Sequence, residues 1–168
     1  LRQIQSFFGV GTIRVNSSND SVYYSVTRLQ DLINVIIPHF DKYPLITQKR
    51  ADFLLFKMAV ELINQKEHLT TEGLHKILSI RASMNKGLRK ELIEAFPEII
   101  PVERPKVEGA PKDLDPNWLA GFSEGESCFE VKIYKSETLN TGYRVQIRFT
   151  LTQHSRDTLL MNNLVEYF

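Results

Sequence analysis

Apolar and polar positions change period several times along the chain, and each change predicts an element. Leu1, Ile4 and Phe8 share one side of a helix that Gly9 and Gly11 end. A period of two follows. Ile13 and Val15 alternate with Thr12, Arg14 and Asn16, "SSND" supplies a turn, and Val22, Tyr24 and Val26 alternate with Tyr23, Ser25 and Thr27. This is a hairpin with one apolar and one polar face. Helical spacing then takes over. "RLQDLINVIIPHFDKY" predicts a helix interrupted near Pro38, because proline removes a helical N–H and its ring strikes the preceding turn. "TQKRADFLLFKMAVELINQKEHL" predicts a longer helix with Thr47 as N-cap and a core stripe of Leu55, Phe56, Ala59, Leu62 and Ile63. "TTEGLHKILSIRASMN" sets Leu74, Ile77, Leu78 and Arg81 in register, and "LRKELIEAFPEII" predicts a short fourth helix.

The segment "PVERPKVEGAPKDLDPN" breaks all periodicity and predicts a linker over residues 101–117. Beyond it Asp115 is placed to N-cap a helix with Pro116 at its first position, running to about Gly125. In "SCFEVKIYKS" Phe129, Val131 and Ile133 alternate with Glu130, Lys132 and Tyr134. "NTG" turns the chain, and Val145, Ile147, Phe149 and Leu151 alternate with Arg144, Gln146, Arg148, Thr150 and Thr152. "SRDTLLMNNLVEYF" predicts a final helix capped by Ser155, with Leu159, Leu160, Leu164 and Phe168 as its apolar set. This last helix resembles the first, "LRQIQSFFG", in pattern, which suggests a repeat unit of helix–strand–strand–helix–strand–strand–helix–helix. The chain also lacks an initiator methionine and starts in mid-pattern, so an excerpt of something longer is expected. The fold class is α+β.

Composition narrows the field modestly. Of 168 residues, 42% are hydrophobic and 24% charged, the balance of a globular protein and not a disordered one. A net charge of +1 does not announce a nucleic-acid binder, but it is blind to local basic patches. A single cysteine, Cys128, excludes an internal disulfide and any all-cysteine zinc site. His39, His68, His75 and His154 lack zinc-ligand spacing. No apolar run approaches the roughly 18 residues of a spanning helix, so no membrane partner is expected.

The chemistry concentrates in "WLAGFSEGESCF". Gly121 and Gly125, four apart, lie on one helix face, where a second helix could approach backbone to backbone. Two carboxylates, Glu124 and Glu126, close the helix. Being two apart, they point to nearly opposite sides and do not share one task. Taken alone, such a stretch is more often a capped surface helix than a catalytic one.

These residues, Leu119 to Ser127, resemble the motif of the LAGLIDADG homing endonucleases, in particular the monomeric type with two repeats in one chain. Trp118 before the motif and Cys128-Phe129 after it are similar too. "HFDKYPLITQKRADFLLFK", "NQKEHLTTEGL" and "AFPEII" look like the helical half of a first repeat, and "FTLTQHSRD" like a strand end entering the next helix. The resemblance implies the LAGLIDADG fold, αββαββα repeats whose antiparallel sheets pack on helices and read DNA. It divides the chain into the C-terminal part of a first repeat (1–100), a linker (101–117) and the N-terminal part of a second repeat (118–168).

The same resemblance implies a site-specific double-strand DNA endonuclease that hydrolyses phosphodiester bonds with a divalent metal. Glu126 becomes the catalytic acid and metal ligand, the Gly125 carbonyl its companion ligand, and Gly121 and Gly125 the helix interface. Mg²⁺ is the implied ion, with Mn²⁺ or Ca²⁺ able to occupy the same site. Ser127 stands where the family has glycine, which would cost strain if the position needed a positive φ.

The polar strand faces then nominate DNA-reading residues: Arg14, Asn16, Tyr23 and Ser25 from the first hairpin, with Thr12 and Thr27 beside them. The second hairpin gives Lys132, Tyr134, Arg144, Gln146, Arg148 and Thr150, together with Glu130. Lys86, Arg89 and Lys135 are candidates for phosphates, and Arg28, Lys49 and Gln153 for the active-site periphery. The implied partner is double-stranded DNA with a long asymmetric target, bound by a monomer when full length. The implied location is mitochondrial, within organellar introns. Two other readings stand beside this one: an intron RNA maturase of the same fold, and a non-cleaving DNA-binding module.

Overall fold

Helix α1 (Arg2–Phe8) stops where glycine permits a left-handed residue: Gly9 has φ 68° and donates its N–H to the Gln5 carbonyl at 2.9 Å. The computed structural model describes residues 1–107, 111 and 113–168. Strands β1 (Thr12–Asn16) and β2 (Ser21–Ser25) pair antiparallel, with Thr12 opposite Ser25, Arg14 opposite Tyr23 and Asn16 opposite Ser21. Helix α1 is fastened to this hairpin at its base. Gln5 Nε2 donates to the Gly11 carbonyl and the Tyr24 hydroxyl to the Val10 carbonyl, both at 2.9 Å, while the Phe8 and Tyr24 rings stack. Gly11 must be glycine here. Its φ is 85°, and a Cβ would lie 2.7 Å from the Tyr24 ring.

The helical path after the hairpin does not break at Pro38, as its sequence predicts. It runs through α2 (Leu29–Asp31), a π segment (Leu32–Ile36) and α3 (Ile37–Lys42). In a regular α-helix the Pro38 ring would meet the Asn34 carbonyl, and the wider π turn just before it removes that conflict. The His39 ring, at the far end, packs edge-on against Phe7, Phe8 and Phe40.

Helices α4 (Lys49–Asn64) and α5 (Thr71–Ser83) form the helical layer of this part. Its deepest residues are Ala51, Leu55 and Val60 from α4 and Leu78 and Ile80 from α5. The expected stripe residues Phe56, Ala59, Leu62 and Ile63 are half-buried around Leu55. Leu74 was expected inward but lies exposed, and Ile80 takes the inward position. The N-cap is Gln48, one residue beyond the expected Thr47, although the Thr47 hydroxyl still accepts the Lys49 N–H at 3.2 Å. Thr70 caps α5 by accepting the Gly73 N–H at 3.0 Å. Helix α6 (Lys90–Ala95) follows.

The expected linker begins as a strap. The Val102 N–H donates to the Ser79 carbonyl at 3.2 Å. Arg104 Nη1 reaches Asp52 Oδ1 at 2.8 Å and the Ser83 carbonyl at 2.7 Å, and its Nη2 reaches the Gln48 carbonyl at 3.1 Å. The same Asp52 oxygen accepts the Asn85 N–H at 2.9 Å, so one carboxylate and one guanidinium join both helices to the strap. Replacing Arg104 by Ala is expected to cost about 1–2 kcal/mol, since the ion pair is only partly buried. A denaturant titration of the full-length protein reads this as a lower midpoint with unchanged slope. The remainder of the linker includes residues 108–110 and 112, which lie outside the described set.

The chain divides into two units, one ending at Val107 and the other continuing to Phe168. In the second, Asp115 Oδ1 accepts the Asn117 and Trp118 N–H groups at 2.7 and 3.0 Å and starts α7 (Pro116–Glu126) at Pro116, as the sequence predicts. Strands β3 (Ser127–Lys135) and β4 (Tyr143–Leu151) pair antiparallel, and Gly142, at φ 69°, closes their turn. A 3₁₀ turn (Ser155–Asp157) leads into α8 (Thr158–Tyr167).

Two expectations about side chains are corrected in this unit. Ser155 is not the side-chain cap. The His154 ring nitrogen accepts the Arg156 N–H at 3.2 Å, and the Ser155 carbonyl accepts the Thr158 hydroxyl. The inward face of α8 is Leu160, Asn163 and Leu164, so Leu160 and Leu164 point inward as expected, whereas Leu159 is exposed beside that stripe and Phe168 is exposed beyond the helix end. Apart from these two points, the apolar face of the second hairpin is uncovered among the described residues. Phe129, Val131, Ile133, Val145 and Ile147 are all exposed, Phe129 by 82% and Ile147 by 83%.

Candidate catalytic helix and nucleic-acid interface

Helix α7 carries its glycines on open ground. Among the described residues, and outside the helix's own backbone, a Cβ built on Gly121 or Gly125 meets no atom within 4 Å, so this face can admit a backbone at close range. At the other end the helix passes directly into β3. Ser127 is extended, with φ −102° and ψ 160°, so serine carries no strain at this position.

The last carbonyls of a helix have no donors within it. That of Glu126 accepts the Thr152 N–H at 3.3 Å, which pins the residue after β4 against the helix end. Gln153 follows Thr152 directly, so the backbone brings one nominated peripheral residue beside the nominated acid. Glu124 and Glu126 are both exposed. Only Glu126 sits at the helix–strand junction under this backbone tie. Among the described residues no cluster of three or more His, Cys, Asp or Glu side chains is assembled. The oxygen donors that α7 itself offers at this end are the Glu126 carboxylate and the terminal carbonyls, Gly125 among them. These are hard ligands, suited to Mg²⁺ or Ca²⁺ in kind.

The strand registers bring the nominated reading residues together. Across β3 and β4, Cys128 faces Thr150, Glu130 faces Arg148, Lys132 faces Gln146 and Tyr134 faces Arg144. All eight side chains therefore share one face. On the first hairpin the cross-strand pairs Thr12–Ser25, Arg14–Tyr23 and Asn16–Ser21 do the same.

Some of these groups are already engaged. Asn16 Oδ1 accepts the Ser18 N–H at 3.1 Å and its hydroxyl at 2.7 Å, holding the turn. The Tyr23 hydroxyl accepts from Asn19 Nδ2 at 3.4 Å. Hydrogen bonds from Ser21 first, then Asn19 and Asn16, hold its phenol below the ordinary tyrosine range. The Thr150 hydroxyl is buried with no hydrogen-bond partner among the described residues. By contrast Arg14 and Arg144 have no ion-pair partner among the described residues. Arg28, at the N-terminus of α2, is largely exposed and pairs loosely with Asp31 at 3.9 Å. Lys49 opens α4. Both belong to the first unit.

Pattern reasoning missed the tie from Thr152 to Glu126, which follows only from the register of β4. It also missed what Glu130 touches: Arg148 Nε at 2.7 Å and Lys132 Nζ at 3.0 Å. Opposite charge at facing positions was readable once the hairpin's centre was known.

Comparison with known proteins matches this arrangement. The LAGLIDADG endonuclease family model matches residues 1–60 and 119–168. "Probable intron-encoded endonuclease 3" of Neurospora crassa is 46% identical over 160 residues, covering 95% of this chain and 30% of its own length. "Uncharacterized 50.9 kDa protein in ND4 intron 1" of Podospora anserina is 50% identical over 70 residues, 42% of this chain and 15% of its own. Among solved structures, "I-SmaMI bound to uncleaved DNA target in the presence of Calcium ions" superposes with a TM-score of 0.90 at 44% identity, covering 99% of this chain and 56% of that one. The chain thus spans about a third of that Neurospora relative and little more than half of the solved one. With a glycine-faced helix running into a polar-faced hairpin, and with both parts matched by the family model, the chain belongs to the LAGLIDADG endonuclease family.

Proposed function

We propose that this chain supplies one of two acid-bearing helices, and part of the DNA-reading surface, of a site-specific double-strand DNA endonuclease. The observation that carries the reading is the position of Glu126, at the end of a helix with an open glycine face and at the root of a hairpin with a continuous polar face. A twin helix packed on Gly121 and Gly125 would bring two carboxylates together, and neighbouring carboxylates repel unless a cation lies between them. Glu126 and the Gly125 carbonyl would hold that divalent ion, Mg²⁺ in the cell, with water and phosphate completing its oxygen shell. Such an ion, when bound, lowers the pKa of water and stabilises charge on the leaving oxygen.

The chain's own residues do the rest. Arg14, Tyr23, Ser25, Lys132, Tyr134, Arg144, Gln146 and Arg148 face the major groove, where Arg suits guanine and Gln suits adenine. Asn16 and Thr150 border that surface. Lys86, Arg89 and Lys135 meet phosphates, and Arg28, Lys49 and Gln153 lie around the scissile group, where a cation or amide steadies developing negative charge. The calcium and uncleaved DNA named for I-SmaMI support a hard-cation site and a duplex ligand. The intron-encoded names of the relatives support a mitochondrial intron as the source. The full-length protein acts as a monomer on a long asymmetric site.

The test is cleavage of a plasmid library carrying random inserts by the full-length protein. With Mg²⁺, a small set of inserts is expected to be cut on both strands. Chelation by EDTA is expected to abolish cutting and added Mg²⁺ to restore it. Cutting that survives EDTA, or that shows no preference among inserts, would sink the reading.

A further inference from the structure

We infer that Glu130 is a positioning residue for base recognition: its carboxylate holds Arg148 in the orientation that reads guanine. The inference deepens the proposed function and rests on the polar face of β3 and β4 lying in the major groove. Glu130 and Arg148 are directly opposed in the strand register. Arg148 Nε donates to Glu130 Oε2 at 2.7 Å, while Lys132 Nζ lies 3.0 Å from Glu130 Oε1. Each carboxylate oxygen therefore holds one cation, and the carboxylate is fixed between them.

The atom used by Arg148 decides what the contact is for. A guanidinium has five N–H groups, one on Nε and two on each Nη. Engaging Nε leaves the two Nη groups at the free end of the fork, and that end matches guanine O6 and N7 in the major groove. Arg148 makes no other hydrogen bond among the described residues and is 43% exposed, so the fork is available. Its flexible stem would otherwise sample many rotamers, and holding it beforehand lowers the ordering cost of binding.

A role in stability does not account for the pair. It is partly solvated, and exposed ion pairs contribute little to folding. A carboxylate facing DNA phosphates also weakens non-specific attraction, so its presence favours discrimination over raw affinity. Arg144, on the same face and opposite Tyr134, has no such partner among the described residues. It serves as the internal contrast, a base-facing arginine whose fork no carboxylate orients.

The experiment is selection from a random-sequence duplex DNA pool by the full-length protein in Ca²⁺, with sequencing of the bound fraction. Wild type, Glu130→Ala, Glu130→Gln, Arg148→Ala and the Glu130→Ala/Arg148→Ala pair are compared, each first checked for an unchanged thermal midpoint. Arg148→Ala is expected to erase a guanine preference at one position of the site. Glu130→Ala is expected to reduce that same preference roughly tenfold while leaving the other positions alone, the scale of one bidentate contact. Glu130→Gln, which keeps a neutral acceptor, should recover part of it. The double variant should match Arg148→Ala, because Glu130 acts only through the arginine. The inference is overturned if Glu130→Ala leaves the guanine preference intact, or shifts preference at a different position. No enriched sequence with wild type would instead overturn the proposed function itself, so the two failures are told apart.

Discussion

Glu126→Gln in the full-length protein is expected to lower the rate of Mg²⁺-dependent DNA cleavage by roughly a thousandfold, the scale of a lost metal-ligand charge at a hydrolytic centre. Helix α7 ends at Glu126, and the Glu126 carbonyl is tied to the Thr152 N–H, so the Cα from which this carboxylate projects is fixed at the helix–strand junction. Glutamine has the same shape and leaves the helix, the strand and that tie undisturbed. It removes only the charge that a divalent cation held there would need. Binding to the target in Ca²⁺ should hold or tighten, because one negative charge facing the phosphates is gone. Glu124→Gln is the paired control. It lies two residues back, directed to nearly the opposite side of the helix, and should leave the cleavage rate close to wild type. Single-turnover cleavage with saturating enzyme separates chemistry from binding. Loss of activity in the Glu124 variant with retention in the Glu126 variant would reverse the assignment.

Alternation and capping were readable from residue types where local chemistry decides the outcome. Asp115 before Pro116 names a helix start without any tertiary information, and the structure supplies both hydrogen bonds. The polar faces of both hairpins were readable for the same reason, since period two admits only two sides and the strand registers put the nominated residues on one. What could not be read were outcomes settled by competition between neighbouring segments. Pro38 signals a break, yet a π turn over Leu32–Ile36 absorbs it. Ser155 has the chemistry of a cap, but it lies within the turn, and His154 just before it takes the Arg156 N–H on its ring nitrogen. Leu74 and Ile80 are similar in character, and only packing decides which turns inward.

The candidate site divides along the same line. The motif places Gly121, Gly125 and Glu126 on one helix, but whether the Ser127 position needs glycine is a matter of φ, which residue type does not disclose. At −102° it does not. Arg148 was nominated from its place on the polar face. Its connection to Glu130 depends on the register of a seven-residue turn that closes through Gly142, and therefore on geometry.

Gly73→Ala is expected to destabilise the first unit by about 2–3 kcal/mol, even though alanine is the better helix former by about 1 kcal/mol. Gly73 is buried near the start of α5, beneath the 3₁₀ turn Glu67–Leu69. A Cβ there would lie 1.9 Å from the Glu67 carbonyl oxygen and 2.4 Å from its carbon. Neither atom belongs to a flexible side chain that could step aside. The carbonyl accepts both the Thr70 N–H and the Thr70 hydroxyl at 2.9 Å, while the Glu67 carboxylate holds Lys76 at 3.0 Å. Moving the turn to admit a methyl group would strain this set together with the Thr70 cap on the Gly73 N–H. For a protein in this size range, 2 kcal/mol lowers the melting temperature by about 4–8 °C. The informative comparison is Gly121→Ala in the same protein. Among the described residues nothing outside the helix lies within 4 Å of a Cβ there, so a loss of stability would point to a helix packed against that face. A melting temperature raised by Gly73→Ala would show that the turn yields and that helix propensity decides the sign.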